Sequence, residues 1–263
     1  MRFCVLASGS RGNATYIESG KTRILIDAGM SGKELQRRLA VIEVDIAAID
    51  AIMVTHEHND HIHGVGVLSR RVGIPVFANA ATFAAAARTV HRLSAYNEFE
   101  TGVSFQFHGL EIHPFTISHD SADPVGFRIS NGTHSLGYCT DTGRVSQLIR
   151  QRLASCQALV LESNHDIEML QKGTYPPYLK QRIRSSQGHL DNGLASAFLE
   201  ELLHEDLQHV VLAHLSEENN RPEIAYRLAV AALESNPNVK GRGLRVSVAC
   251  QERVGELIHL SCK

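Results

Sequence analysis

At 263 residues the chain is long enough to bury a large core as one domain, 1–263, and its 43% apolar and 21% charged content is that of an ordinary globular protein. A net charge of −2 and a pI near 6.7 exclude the broad basic field of a protein that coats nucleic acid without regard to sequence. No apolar run reaches membrane-spanning length, and Met1 to Ala7, ending in Ser8-Gly9-Ser10, reads as a first strand rather than a signal peptide.

The first quarter reads as β-structure. After the strand Phe3 to Ala7 and the loop Ser8 to Asn13, Tyr16–Glu18 and Thr22–Ile26 form a hairpin around Ser19-Gly20. The second strand ends in Asp27, and Ser31 is placed to cap a short helix from Gly32 to Leu39. Ile49 to Val54 is a buried strand that runs into His56-Glu57-His58-Asn59-Asp60-His61, followed by a helix from Ile62 to Val72 closed by Gly73. Val76–Ala78 is a strand and Ala80 to Arg88 a helix.

The middle is β-rich again, with strands at Ser104–Phe107, Leu110–Ile117, Val125–Ile129 and Ser135–Cys139, the last two joined through Asn131-Gly132. From Val145 the pattern alternates. Helices are expected at Val145–Leu153, Leu194–Leu203 and Pro222–Leu233, and strands at Ala158–Leu161, Val210–Ala213, Leu244–Ala249 and Leu257–Leu260. The five cysteines are scattered and form no C-x-x-C pair, which points to free thiols in a reducing cytoplasm.

Chemistry concentrates where apolar runs stop. Imidazole and carboxylate are the ligands that suit zinc, manganese and iron. Alternate side chains of an extended segment point the same way, so His56 and His58 can grip one ion while Asp60 and His61 begin the next turn. A solvated loop that happens to be rich in histidine is the bland alternative, but random loops rarely give H-x-H-x-D-H straight after a buried strand. Single ligand-type residues recur at other strand ends: Asp27, His119, Asp141 and His214. Each alone is an ordinary turn or cap residue; together they matter, because sheets bring distant strand ends to one rim. Two divalent ions need about seven donors. His56, His58, Asp60, His61, His119, Asp141 and His214 supply that number.

This ordered set resembles the metallo-β-lactamase fold superfamily. More narrowly, Leu6-Ala7-Ser8-Gly9-Ser10-Arg11-Gly12-Asn13, Ile117-Ser118-His119-Asp120, Glu162-Ser163-Asn164-His165-Asp166 and Gly188-His189-Leu190 are similar to signatures of the YycJ (WalJ/VicX) group of DNA exonucleases, linked to mismatch repair. The resemblance implies an α/β (α+β) fold, a four-layer αββα sandwich of two mixed sheets flanked by helices. It implies His56, His58 and His119 around one ion (Zn, Mn or Fe), Asp60, His61 and His214 around a second, and Asp141 between them. Asp27 would orient a ligand histidine through a hydrogen bond. Two such ions lower the pKa of a shared water, so that a metal-bridging hydroxide is the nucleophile, and stabilise the entering and leaving oxygens of phosphodiester hydrolysis. Asp60 and His189 are the catalytic residues on this reading, His189 by touching the phosphate and protonating the leaving oxygen.

Substrate contacts are expected from Asn13 in the Gly-rich loop, from His165, which can instead hold Glu162 or be structural, and from Lys180 and Arg182 in a basic stretch with Tyr175-Pro176-Pro177-Tyr178. The function implied is a 5′–3′ exonuclease on duplex DNA ends. A large inserted RNA-processing domain is disfavoured, since only 21 residues separate His119 from Asp141. A small-molecule, cyclic phosphodiesterase on the same metals is the first alternative, and a metal-stabilised regulatory protein without activity the second. Oligomeric state is not legible.

Overall fold

Apolar residues at period two build both sheets. In strand β1 (Arg2–Ala7), Phe3 and Val5 face one way, Cys4 and Leu6 the other, and all four are buried, so the strand is covered on both sides. The computed structural model describes residues 1–235 and 243–261.

The first sheet runs in the spatial order β14 (Ile258–His259), β1, β2 (Ala14–Ser19), β3 (Thr22–Ile26), β4 (Ala51–Met53), β5 (Val76–Ala78) and β6 (Tyr96–Glu98). Its β3-to-β6 half is parallel and the remainder antiparallel. The second sheet begins with the antiparallel strands β7 (Phe105–Phe107), β8 (Leu110–Thr116), β9 (Val125–Ser130) and β10 (Ser135–Cys139). It continues in parallel through β11 (Ala158–Glu162), β12 (His209–Ala213) and β13 (Arg245–Val248).

Three apolar clusters make the four layers. Phe3, Ile24 and Met53 of the first sheet meet Ile112, Phe127 and Val160 of the second in the central one. On the outer face of the first sheet, Leu25 and Ile52 pack against Leu35 and Leu39 of α1 (Gly32–Val41) and Leu68 of α3 (Val65–Val72). On the outer face of the second, Leu159 and Leu212 pack against Leu153 of α5 (Gln147–Leu153), Leu199 of α8 (Asn192–Glu201) and Ala229 of α9 (Pro222–Ser235). This is the αββα sandwich. Among the described residues no helix is long and apolar enough to cross a membrane. Cys4, Cys139 and Cys156 are buried free thiols, Cys250 is half-buried and free, and Cys262 lies outside the described residues.

The expected helix from Ile62 to Val72 is instead two, α2 (Asn59–Ile62) and α3, with Gly64 between them. A side chain there has no room: its Cβ would lie 2.1 Å from the Met30 carbonyl oxygen, and the Gly64 N–H donates to Ala28. Strand β6 and the helices α6 (Ile167–Lys172) and α7 (Pro177–Ile183) were not expected. Their residues carry no apolar period because β6 is exposed throughout and α7 buries none of its residues. α4 (Ala80–Val90) runs two residues beyond the expected end at Arg88 and is capped by Asn79.

Strand direction determines where the chemistry falls. β3 runs parallel to β4, and β10 to β11 and β12; β8 shares their direction because two antiparallel steps separate it from β10. Their carboxyl ends therefore gather at one rim, the usual place for ligands in open α/β sheets. At that rim the Val125 N–H donates to the Thr55 carbonyl, joining the two sheets.

Candidate metal centre

The loop after β4 is held from beneath. Asp27, fully buried and with φ at +60°, accepts from the Thr55 N–H at 2.8 Å, from the Thr55 hydroxyl at 2.9 Å and from His61 Nδ1 at 2.7 Å. That last bond assigns the proton of His61 to Nδ1 and turns Nε2 towards the other ligand-type side chains. The backbone of the β3 loop lies on the same turn: a Cβ on Gly29 would stand 1.6 Å from the Asp60 carbonyl oxygen, so only glycine fits.

Two groups of side chains result. His58 Nδ1 lies 3.1 Å from His56 Nε2 and 3.2 Å from His119 Nε2. Nitrogens around a tetrahedral ion, at ~2.0–2.1 Å from it, stand about 3.3 Å apart, which is the spacing of this triad. In the second group the Asp60 carboxylate lies 3.5 Å from His61 Nε2 and 3.7 Å from His214 Nε2. Asp141 stands between the groups. Its oxygens are 3.4 Å from His61 Nε2, 3.2 Å from His214 Nδ1 and 4.0 Å from His119 Nε2.

The donor set fits divalent cations. Asp141 Oδ2 and His214 Nε2 are buried and make no hydrogen bond, and both face the interior of the cluster. A buried polar atom without a partner is costly unless something else satisfies it. The local field points the same way. Burial pulls the His61 imidazole down, yet the carboxylates of Asp27, Asp141 and Asp60 raise it well above its usual range. His214 likewise rises to about 10, against the pull of burial, through Asp141, Asp60 and Glu162. A site that draws protons onto its imidazoles is strongly electronegative, and a cation relieves it. Asp27, Asp141 and His214 all sit in the left-handed backbone region, at φ of 60°, 59° and 55°. Such residues cost ~1–3 kcal/mol each and cluster where function requires them.

His189 follows the turn after α7, its N–H donating to Ile183 at 2.9 Å. Its Nδ1 donates to Glu162 at 2.8 Å, and Nε2 has no hydrogen-bond partner among the described residues. Glu162 is the residue that received no role of its own from the sequence. Fully buried at the end of β11, it accepts from His189 Nδ1 and, at 3.1 Å, from His214 Nδ1 with one oxygen. The other oxygen takes the Thr142 N–H at 2.9 Å and the Leu190 N–H at 3.3 Å. Although burial opposes its charge, the two imidazoles hold its carboxyl well below the usual range. The signal was available: Ala158-Leu159-Val160-Leu161 stops at an acid, as other site strands stop at Asp141 and His214.

The four substrate-contact candidates fall in different places. Asn13 is buried and directs its amide inward, to the Gly9 carbonyl and the Asp60 carboxylate, with His61 Nε2 3.1 Å away. It braces the histidine loop rather than facing a substrate. Lys180 is also spent internally, its Nζ donating to the carbonyls of Gln171 and Gly173 at 2.8 and 2.6 Å. His165 is buried, pairs its backbone with Asp191 and has Asn164 Oδ1 3.3 Å from its Nδ1, and among the described residues no hydrogen bond joins it to Glu162. Arg182 alone reaches the groove beside His189, with its Nε donating to Asp120 at 2.5 Å.

A Beta-lactamase superfamily domain model matches residues 22–215, three quarters of the chain. The exodeoxyribonuclease YycJ of Bacillus anthracis is 39% identical over 88% of each chain, and the exodeoxyribonuclease WalJ of Streptococcus pneumoniae is 39% identical over the same shares. The chain belongs to the metallo-β-lactamase superfamily. Within it, the chain is a member of the YycJ/WalJ family. The metallo-β-lactamase fold protein YhfI of Bacillus subtilis superposes with a TM-score of 0.73 at 17% identity, covering 97% of this chain and 99% of its own. The short form of human tRNase Z gives 0.68 at 16% identity over the full length of both. At such identities these two structures speak for the fold, and both sheets with their flanking helices are shared.

Proposed function

We propose that this protein is a dinuclear-metal phosphodiester hydrolase that degrades duplex DNA from its ends in the 5′–3′ direction. The reading is supported above all by two ligand triads that face each other across Asp141, with His189 beside them at the same rim. The 39% identity to exodeoxyribonucleases narrows the substrate to DNA. The free thiols of Cys4, Cys139, Cys156 and Cys250 support a cytoplasmic setting.

On this reading His56, His58 and His119 hold one ion, Asp60, His61 and His214 the other, and Asp141 serves both. The ions, when bound, lower the pKa of water and stabilise the negative charge that develops on phosphate oxygens. The chain's own part is to place and to move protons. Asp27 fixes His61 and Thr55, the Asn13 N–H donates to the Asp60 carbonyl, and the Ala28 N–H donates to the His61 carbonyl. Asp60, one carboxylate oxygen 3.2 Å from the Asn13 amide, can also take a proton from the attacking water. Glu162 holds His189 by Nδ1, so Nε2 can deliver a proton to the departing sugar oxygen.

The direct test is hydrolysis of end-labelled single- and double-stranded DNA and RNA. After chelation and gel filtration the protein should lose activity and melt at a lower temperature, and zinc, manganese or iron should restore both. A metal-loaded protein that leaves every DNA substrate intact overturns the proposal. Asp27→Asn should keep the fold, because asparagine tolerates the left-handed backbone at this position. It should weaken metal binding ~10–100-fold, as loss of the partner behind a ligand histidine commonly does. Titration with a competing chelator measures this, and unchanged affinity would remove Asp27 from the assignment.

A further inference from the structure

Beside the metal centre lies a partly open cavity of about 180 Å³, lined by His189 and Gly188 and by residues of α7. Its volume corresponds to about six waters at ~30 Å³ each, room for one flat ring system and well short of the ~300 Å³ at which ordinary ligand pockets begin. Tyr175, Leu179 and Ile183 give it an apolar wall, while Arg182 and Ser216 line it with donors. An apolar wall with a few placed polar groups is how a nucleobase is received without regard to its identity, by stacking on the ring face that all bases share.

The wall is rigid at both ends. At the carboxyl end of α7, Ile183 accepts from the His189 N–H and Ser185 from the Gly188 N–H; a Cβ on Gly188 would lie 2.1 Å from the Ile183 carbonyl oxygen. At the other end Lys180 ties the helix to the carbonyls of Gln171 and Gly173, and on its flank Arg182 is held by Asp120. A helix that buries none of its own residues adds little to the core. Its bracing makes sense if its side chains must stay in place over the groove.

Resting on the exonuclease reading above, we propose that this cavity is the seat of the terminal nucleotide, with its base against Tyr175, so that each cleavage releases a mononucleotide. His189 lies in the cavity wall and Glu162 holds only its Nδ1, so the leaving-group side of the scissile bond faces the cavity. Water oxygen bonds to phosphorus, the P–O3′ bond to the terminal nucleotide breaks, and His189 Nε2 supplies the proton that the departing O3′ takes up. The phosphate remains on the shortened strand. A recess with room for one ring system takes the terminal base as part of the leaving group and has no second place for the base that follows it.

The experiment uses the full metal-loaded chain on 5′-labelled duplex DNA, with product length read on denaturing gels. The control substrate is the same duplex with an abasic 5′-terminal residue, which offers no ring to the cavity; bis(p-nitrophenyl) phosphate, a small diester, reports only whether the metal centre of the wild-type protein turns over. For Tyr175→Ala the KM for DNA ends should rise ~5- to 100-fold, the range expected for a lost base stack. Its products should broaden from mononucleotides to include dinucleotides, bound metal should stay at the wild-type level, and the difference from wild type should shrink to about twofold on the abasic end. Leu179→Trp, which fills the cavity without removing Tyr175, should abolish mononucleotide release while bound metal and melting temperature stay at the wild-type values. If the wild-type protein degrades DNA and both variants retain its KM and its product lengths, the seat is wrong while the exonuclease reading survives. If the wild-type protein hydrolyses the small diester and leaves DNA intact, both fall together.

Discussion

Asp141→Asn should lower the rate of phosphodiester hydrolysis on the order of 10⁴-fold, the scale of losing one member of a catalytic unit that acts together. The substitution isolates charge from shape. Asparagine has the same outline and accepts the left-handed backbone that Asp141 adopts at φ +59°, so the fold should survive. The amide cannot replace what the carboxylate does. Asp141 comes within 4.0 Å of ligand-type nitrogens of both triads, on His61, His119 and His214. It is buried, and its Oδ2 makes no hydrogen bond within the protein. Burial opposes its charge, but His214 and His61 hold its carboxyl below the usual range, so it is an anion at neutral pH. Removing that charge should reduce bound metal from about two equivalents to about one, because the shared ligand is what allows two cations to sit close together. Metal analysis of the dialysed variant, together with its melting temperature, separates this from misfolding. A folded variant that keeps both ions and a rate within about tenfold of wild type would take Asp141 out of the centre.

How far the site could be read from the chain depended on whether a residue's surroundings are local. The runs Ile52-Met53-Val54-Thr55-His56 and Val210-Val211-Leu212-Ala213-His214 announce themselves, because a buried strand that stops at an imidazole is visible within a few residues. The sheet then does the rest: strands of common direction deliver their ends to one rim. Glu162 is less legible. An acid after a strand looks like any turn residue, and its partners His189 and His214 lie 27 and 52 residues further on. The surroundings of Asn13 and Lys180 are hard to read for a related reason. A polar side chain in a Gly-rich loop, or an amine in a basic stretch, looks exposed when only its neighbours in sequence are considered. Carbonyls of Gly9 and Asp60 capture the first, and those of Gln171 and Gly173 the second. α6 and α7 escaped notice because a helix that buries little leaves no apolar period. The fold was legible from burial; the groove was not, because a groove is made of residues that stay unburied.

His189→Ala should leave both ions in place and lower kcat on DNA ~10²–10⁴-fold, the usual contribution of a positioned general acid. The His189 ring lies 5.1 Å from that of His119 and 5.2 Å from that of His214, and its Nδ1 3.8 Å from Asp141, but its one side-chain hydrogen bond among the described residues goes from Nδ1 to Glu162, and neither ligand triad includes it. Truncating it should therefore spare the metals. It leaves Glu162 still bonded to His214, Thr142 and Leu190. The size of the loss should depend on the leaving group. A sugar alkoxide is a strong base and needs a proton as the bond to phosphorus breaks, whereas p-nitrophenolate departs readily without one. The variant should therefore be crippled on DNA and nearly normal, within about tenfold, on bis(p-nitrophenyl) phosphate. Glu162→Gln should show the same dependence in weaker form, since the amide can still accept from Nδ1 and hold the ring, but through a neutral rather than a charge-assisted hydrogen bond; its effect on His214 should appear separately as weaker metal binding. Equal losses on both substrates for His189→Ala would mean that His189 binds the phosphate itself. Equal retention on both would mean that the departing oxygen takes its proton from elsewhere.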